Sequence, residues 1–221
     1  MKILEKIHIE QPPTIREEVY KYLRRKILTG EISPTERLIE VKLSNEIGTS
    51  RTPIREALHK LEMEKLVKSI PRVGYVVNEI SKEEVEEFCE IRLALETLAA
   101  KWASTKITAK DLKRLERNIL LADKHIKKNE TERVVELDTE FHDTICKASG
   151  STRIEEMSQN FRDYMLRFRM KGLCRTEIAQ RSNEGHQRIL SAIKNRDMNG
   201  IEAAVSFHLN RTKKDLIEIV S

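Results

Sequence analysis

The sequence predicts a mainly α-helical protein with two domains, residues 1–78 and residues 79–221. Hydrophobic residues recur with the spacing of amphipathic helices along almost the whole chain. The exception is a pair of short β-prone segments within residues 66–77, joined by a turn. All five prolines precede residue 72, so no proline interrupts the helical pattern beyond that point. We therefore expect a small mixed domain followed by an all-α helical bundle.

The first domain is predicted to contain three helices and a β-hairpin. Thr14 and Glu17 have the spacing of a capping box, and Gly30 is a typical residue at a helix C-terminus. Arg72 lies at the predicted tip of the hairpin. The predicted elements are helices over residues 14–30, over residues 35–47 and from Ser50 onward, and strands over residues 66–70 and 75–77.

The second domain begins near residue 79, because Ser81 and Glu84 form another capping box shortly after the last predicted strand. Beyond this point helical periodicity dominates, and the breaks fall at Gly150, at Gly172 and near residues 195–197. We predict six helices, over residues 82–104, 109–128, 130–148, 152–171, 177–195 and 198–219.

Length and composition indicate an intracellular protein. A chain of 221 residues can bury a core without covalent cross-links. Its three cysteines are odd in number and lack metal-ligand spacing, which is typical of reduced thiols in a cytoplasmic protein. No run of about eighteen apolar residues occurs, and the N-terminus lacks the pattern of a signal peptide. We therefore expect a cytoplasmic protein that does not enter a membrane.

Positive charge is concentrated in the first domain. The chain carries a formal net charge of +5. Residues 1–78 contain 15 Lys and Arg against 11 Asp and Glu, whereas residues 79–221 contain 26 against 25. A local cationic excess favours binding to phosphate groups, although four charges are also compatible with ordinary solubility.

The third predicted helix has the pattern of a DNA recognition helix. Its apolar residues form one stripe, which leaves Arg51 and Arg55 together on another face. Ser50 and Thr52 can donate hydrogen bonds to phosphates, and the two guanidinium groups can contact guanine edges or phosphates. Arg72 would reach an adjacent groove as a wing. The alternative is a capping serine and solvated arginines, but the combination of helix, hairpin and charge favours DNA binding.

Residues 30–77 resemble the winged helix-turn-helix of the GntR family of bacterial transcription regulators; they read GEISPTERLIEVKLSNEIGTSRTPIREALHKLEMEKLVKSIPRVGYVV. The resemblance covers residues 14–78 and joins many positions at fixed spacing. One departure is the Gly48-Thr49 turn, where the family more often has a small or β-branched residue. The resemblance implies that the DNA contacts are Arg37, Ser50, Arg51, Thr52, Arg55 and Gly74, and the hairpin position adds Arg72.

The helical domain contains four polar residues that are in phase with the apolar stripes of their helices. They are Asp138, His142, His186 and His208. We therefore expect all four side chains to point inward. Asp138 and His142 converge because they are four residues apart on one helix, and two further imidazoles could complete a ligand set for a divalent transition metal such as zinc. A single inward histidine is more often a hydrogen-bonded core residue, but a buried, unpaired Asp138 would be costly.

Arg92 is also predicted to face inward, on a stripe that runs from Phe88 to Trp102. A buried guanidinium group needs an anion. A small carboxylate ligand held jointly by the metal and Arg92 would supply one, and so would an intramolecular partner such as Glu96. The sequence alone does not distinguish a bound carboxylate from an intramolecular partner. Three further arginines are candidates for the pocket, although a solvated face accounts for some of them: Arg162, Arg167 and Arg169.

Residues 80–219 are similar to the C-terminal ligand-sensing domain, called FCD, of the FadR-like subgroup of this family. The similarity lies in the segments EIRLALETLAA, ELDTEFHDTICKASG and EGHQRILSAIKNRDMNGIEAAVSFH. The pattern of Asp138, His142, His186 and His208 agrees with the metal-binding branch. The resemblance implies a homodimer that holds zinc or a similar ion and binds a small organic acid.

These observations predict a DNA-binding transcription regulator, not an enzyme, whose operator affinity is controlled by a small carboxylate bound at a metal. The rival from another class is a metal-dependent hydrolase that uses the same Asp and His residues. Against it, the sequence lacks HExxH, GxSxG and a carboxylate pair placed as acid and base. A purely structural metal without an effector is the remaining alternative.

Overall fold

The structure, a computed structural model, describes residues 14–220, with residue 160 and residues 162–165 described by their backbone alone. The chain divides into two compact units, and the division falls between Glu79 and Ile80.

The first unit combines three helices with a small antiparallel sheet. The capping box of Thr14 and Glu17 is formed at the start of the first helix. The elements are α1 (Ile15–Leu28), β1 (Arg37–Leu38), α2 (Glu40–Ile47), α3 (Arg51–Met63), β2 (Val67–Ile70) and β3 (Gly74–Val77). Strand β3 lies at the centre of the sheet, in the order β1-β3-β2.

The core of the first unit lies mainly between α1 and α3. Leu23 of α1 is fully buried. So are the residues that form the apolar stripe of α3, which are Ile54, Ala57, Leu58 and Leu61. Burial of one such side chain contributes about 1.5–3 kcal/mol. This packing fixes which face of α3 points away from the core.

The predicted second helix is wrong over its first part. Residues 37–38 form β1, with Arg37 opposite Val76 and Leu38 opposite Tyr75. Helix α2 begins only at Glu40, after Ile39 in an extended conformation. The physical reason is long-range: a turn with a positive φ at Thr35 brings this segment beside β3. Pairing with a distant strand therefore overrides the local helical pattern.

Glycines shape two of the tight turns of this unit. Gly48 ends α2 in the left-handed conformation, with φ of 74°, and its N–H donates to the Ser44 carbonyl. Gly74 begins β3 with φ of 103°, immediately after the hairpin tip at Arg72. The arrangement of α2, turn, α3 and hairpin is a winged helix-turn-helix.

The second unit consists of six helices in the part of the chain that the structure describes. Capping boxes start two of them, at Ser81 and at Thr108. The main hydrophobic core joins side chains from all six helices, with Phe141, Ile189 and Ile201 among its fully buried members. The helices are α4 (Lys82–Lys106), α5 (Ala109–Ile126), α6 (Thr131–Ala148), α7 (Thr152–Leu173), α8 (Thr176–Lys194) and α9 (Met198–Val220).

Trp102 was predicted to face inward, but 43% of its surface is exposed. The buried residues of this part of α4 are Ala99, Ala100 and Ala103. At about 100° per residue, Trp102 lies roughly a quarter turn from the centre of that alanine face. The inward stripe thus shifts along the 25-residue helix, and small residues form its second half.

We predict that Gly74→Ala destabilises the winged unit more than Gly30→Ala does. Both glycines have a positive φ, so alanine is strained at either position by about 1–2 kcal/mol. Only at Gly74 would the added Cβ also lie 3.0 Å from a backbone atom, the Leu38 carbonyl oxygen, whereas nothing lies within 4 Å of it at Gly30. Denaturant unfolding of the full chain, followed by circular dichroism, measures the difference. Equal midpoints for the two variants would contradict this role of Gly74.

Candidate nucleic-acid interface and candidate metal centre

The exposed face of α3 carries the residues predicted to contact DNA. Burial of its apolar stripe leaves Arg51, Thr52 and Arg55 exposed on the opposite side. The other side chains predicted to contact DNA are exposed as well; they are Ser50, Arg37 and Arg72. All of them belong to the first unit and lie on α3, its N-cap, β1 or the hairpin tip.

The N-terminus of α3 is suited to a phosphate group. Its described first turn carries no acidic residue, so the positive end of the helix dipole is not neutralised there. Ser50 occupies the N-cap with an extended backbone, and its hydroxyl makes no capping hydrogen bond within this described turn. The hydroxyl and the first backbone N–H groups can therefore donate to an external acceptor such as a phosphate.

Arg55 is held in place by an acidic residue of the preceding helix. Its Nε and Nη2 donate to the two carboxylate oxygens of Glu40, at 2.9 and 2.8 Å. Arg51 lies farther from the same carboxylate, at 3.8 Å. Hydrogen bonding by Arg55 lowers the pKa of Glu40 below its usual value. A bidentate pair of this kind fixes the plane of the guanidinium group before DNA arrives.

The three predicted histidine ligands converge in the second unit. His142 on α6, His186 on α8 and His208 on α9 are all buried, and one ring nitrogen from each lies within 4.8 Å of the others. The Nε2 atoms of His142 and His186 are 3.2 Å apart. Two ligands of a tetrahedral zinc ion are separated by about 3.3 Å when each lies about 2.0 Å from it. His142 and His186 thus have the spacing that such an ion needs, and His208 lies close enough to join them.

The pKa values of two of these rings favour metal binding. Burial lowers the pKa of His186 well below its usual value, and the neighbouring His142 lowers it further. Burial likewise lowers the pKa of His208, with His186 as the next cause. Both rings are therefore neutral at pH 7, which leaves a nitrogen lone pair on each for a cation.

Glu96 orients His142. Its Oε2 lies 3.1 Å from Nδ1 of His142, which favours a proton on Nδ1 and leaves Nε2 as the atom that faces His186. A carboxylate behind a histidine ring is the usual support for a metal ligand. Burial alone would raise the pKa of Glu96, but Arg92 and His142 hold it well below its usual value.

Gly185 provides the space for His208. A Cβ at this position would lie only 2.5 Å from Nδ1 of His208. A side chain there would displace the ring, so the glycine is required by the close approach of α8 and α9. Sequence reasoning did not identify Gly185, because a glycine within a helical pattern gives no indication of what packs against it.

Asp138, the fourth predicted ligand, is buried beside the cluster but is paired with a cation. Its Oδ2 lies 2.7 Å from Nε of Arg169, and its Oδ1 lies 3.5 Å from Nε2 of His186. Burial raises the pKa of Asp138, but Arg169 and then His142 outweigh burial and lower it. The carboxylate is therefore charged and is shared between Arg169 and the imidazoles.

Arg92 has the intramolecular partner that the sequence left open. Its Nε donates to Oε1 of Glu96 at 2.6 Å, and its Nη2 lies 3.4 Å from Nε2 of His142. Of the three further arginine candidates, Arg169 lies at the site, Arg167 is buried without lining either cavity described below, and the side chain of Arg162 lies outside the described residues.

Two cavities flank the histidine cluster. Asp138 and His208 line the larger one, whose empty volume is about 560 Å³ including the part open to solvent. His142 lines a smaller one. Arg92 and Arg169 line both. Charged groups on partly apolar walls are typical of a site for a small molecule.

A winged helix-turn-helix with an exposed cationic recognition helix defines a DNA-binding protein. The profile of the bacterial regulatory proteins of the gntR family matches residues 15–77, and that of the FCD domain matches residues 87–211. The chain therefore belongs to the GntR family of transcription regulators and carries an FCD domain. Among the described helices, none combines the length and apolar character that a membrane span requires.

Relatives of the chain are named as regulators. It is 27% identical to the HTH-type transcriptional repressor RspR of Escherichia coli strain K12. The 219 aligned residues cover 99% of this chain and 95% of that protein. The chain is 29% identical over 182 residues to the gluconate operon transcriptional repressor of Bacillus licheniformis, covering 79% and 74%. The structure of E. coli McbR/YncC shares the fold, with a TM-score of 0.73, 22% identity, and coverage of 94% and 99%.

We predict that Arg55→Ala weakens binding to an operator selected from random duplexes by about ten- to a hundredfold, since a bidentate contact to guanine contributes about 1–3 kcal/mol. Arg55→Lys keeps the charge but not the planar fork, so it should retain more affinity and lose base preference. Fluorescence anisotropy at several salt concentrations measures both effects. Lys21→Ala, on α1, is the control. Wild-type affinity and base preference in both Arg55 variants would show that α3 is not the recognition helix.

Proposed function

We propose that this protein is a transcription regulator whose affinity for its operator is controlled by a small organic acid bound at a divalent metal, with zinc as the preferred ion. His142, His186, His208 and Asp138 would hold the ion in the second unit. The α3 face of the first unit would read the operator. The observation that carries the proposal is the convergence of three buried histidines beside a cavity.

The donor set supports an ion more strongly than a hydrogen-bonded core. A hydrogen bond between His142 and His186 would account for two rings, but not for the third ring within 4.8 Å of both. Three buried imidazoles at mutual contact, two of them held neutral, are costly unless something satisfies their lone pairs. A divalent cation satisfies all of them together, and imidazole suits zinc and related ions.

The residues around the cluster have separate roles in this proposal. Glu96 orients His142, and Gly185 leaves room for His208. Asp138 contributes an anionic oxygen from the side of the larger cavity. When bound, the ion supplies a Lewis acid that can accept a carboxylate oxygen of the ligand. Arg92, which lines the same cavity, adds a positive charge near that oxygen.

An organic acid is the ligand class that a metal and arginine residues favour, because both attract carboxylates. One relative supports this class by name, since it represses a gluconate operon and gluconate is a carboxylate. Two copies of the chain would bind a palindromic operator as a cytoplasmic homodimer, because paired half-sites match two-fold protein symmetry. The acid would change operator affinity by binding one arrangement of the dimer better than another.

A hydrolase that uses the same residues receives no support from the family assignment, since the relatives are named regulators and repressors. A purely structural ion differs from the proposal in one measurable respect. With a structural ion, operator affinity would not respond to any organic acid.

We predict that Gly185→Ala loses the bound ion while the helical content is retained. The added Cβ displaces the His208 ring, whereas at Gly172, the matched control, it would meet the Leu216 and Ile178 side chains at ordinary contact distances of 3.4 and 3.9 Å. Elemental analysis of the purified protein measures the bound ion, and His186→Ala should lose it as well. Full metal content in His186→Ala would show that the three histidines do not form the site.

The proposal as a whole is tested by operator binding. The full chain is titrated with a selected duplex in four states: zinc-loaded or chelator-treated, each with and without a panel of organic acids. We expect an acid-dependent change of about tenfold or more in operator affinity, the usual scale of such coupling, and only in the zinc-loaded protein. An unchanged affinity with every acid would leave only a structural ion. The same acid response after removal of the ion would exclude the metal as the ligand site.

A further inference from the structure

We propose that the controlling acid carries two acid groups, one for the metal and one for Arg169. This inference rests on the proposed function and narrows its ligand from organic acids in general to short dicarboxylates. It follows from the charges around the histidine cluster, which are balanced until a divalent ion is added.

The described charged side chains that line the two cavities are equal in number. They comprise four guanidinium groups, Arg92, Arg169, Arg181 and Arg211, and four carboxylates, Glu96, Asp138, Asp143 and Asp215. Three ion pairs join them, between Arg92 and Glu96, Arg169 and Asp138, and Arg181 and Asp215. The described side chains that line the two cavities, taken together, thus carry no net formal charge without the ion.

A divalent ion among the histidines changes this balance. It adds two positive charges to a region where Arg92, Asp138, His186 and His208 are all buried. Net buried charge is costly unless an anion compensates it. A monocarboxylate compensates half of the excess, whereas a dicarboxylate compensates all of it. Charge balance therefore favours a dianion.

Arg169 is the group that a second carboxylate would reach. Its present counter-ion, Asp138, also faces the histidines through Oδ1, so ligation of the ion withdraws negative charge from Arg169. Its Nη1 already donates to Oγ1 of Thr139 at 3.0 Å, which holds the guanidinium group in place. Arg92 keeps its counter-ion, because its partner Glu96, at 2.6 Å, is not among the proposed ligands of the ion.

The cavity walls suit a short carbon chain between the two acid groups. Beside its arginines, the larger cavity is lined by apolar side chains, among them Phe168, Leu173 and Leu216. Apolar walls beside charged groups suit an aliphatic dicarboxylate. A compact inorganic dianion such as phosphate carries the same charge, but it lacks the carbon chain that these walls would contact.

Matched acids test the proposal by isothermal titration calorimetry on the zinc-loaded full chain. The pairs are succinate with butyrate and glutarate with pentanoate, in which one acid group is replaced by a methyl group. We expect the diacid of at least one pair to bind about tenfold tighter or more, as an additional charged hydrogen bond predicts. Inorganic phosphate is the third probe, and it should bind more weakly than that diacid.

Arg169→Gln should retain zinc by elemental analysis and lose the preference for the diacid. Arg169→Lys, which keeps the charge but not the fork, should lose part of it. Arg114→Gln removes the same charge from an exposed residue of α5 that lines neither cavity, and it should keep the preference. Circular dichroism checks that each variant is folded, and the lysine variant serves if the glutamine variant does not fold.

Equal binding of diacids and monoacids, tightest binding by phosphate, or a preserved diacid preference in Arg169→Gln and Arg169→Lys would overturn this inference alone. The proposed function fails in a different way: either no acid binds the zinc-loaded chain, or the acids bind equally well after zinc is removed.

Discussion

The second unit depends on one constraint: three imidazoles meet inside a helical core that is otherwise largely apolar. Helices α6, α8 and α9 each contribute one ring, and the shortest contact between two of them, from His142 to His186, is 3.2 Å. Close packing of this kind leaves little tolerance, as Gly185 beside His208 shows. The polar groups around the rings then follow as pairs, Arg92 with Glu96 and Arg169 with Asp138, because each buried charge requires a partner.

The same chemistry recurs in the first unit on a smaller scale. There a carboxylate, Glu40, orients the guanidinium group of Arg55 on an exposed surface. In both units an acidic residue orients a group with a proposed binding role: a base or phosphate contact in one case, a metal ligand in the other. In the proposed function both roles belong to one chain, and an acid can alter operator affinity only if it binds two arrangements of the protein unequally.

The periodicity of hydrophobic residues predicted most of the fold. Nearly all of the fold is helical, and the buried face of each helix is marked by the spacing of its apolar residues. Residues 37–38 were predicted as helix but form β1, since their conformation depends on β3, which lies far along the chain. The same periodicity predicted the inward orientation of the four proposed metal ligands. It did not predict the ion-pair partners of Asp138 and Arg55, because contacts between residues far apart in the chain leave no periodic pattern in the sequence. The need for such partners was predictable, but their identity was not.

X-ray absorption spectroscopy of the zinc-loaded full chain is the decisive measurement for the proposed metal site, because it reports the ligand atoms of the ion itself. We expect three imidazole nitrogen ligands at about 2.0–2.1 Å together with oxygen, and no sulfur. A spectrum with sulfur ligands from the cysteines, or with oxygen and no imidazole scattering, would contradict this expectation.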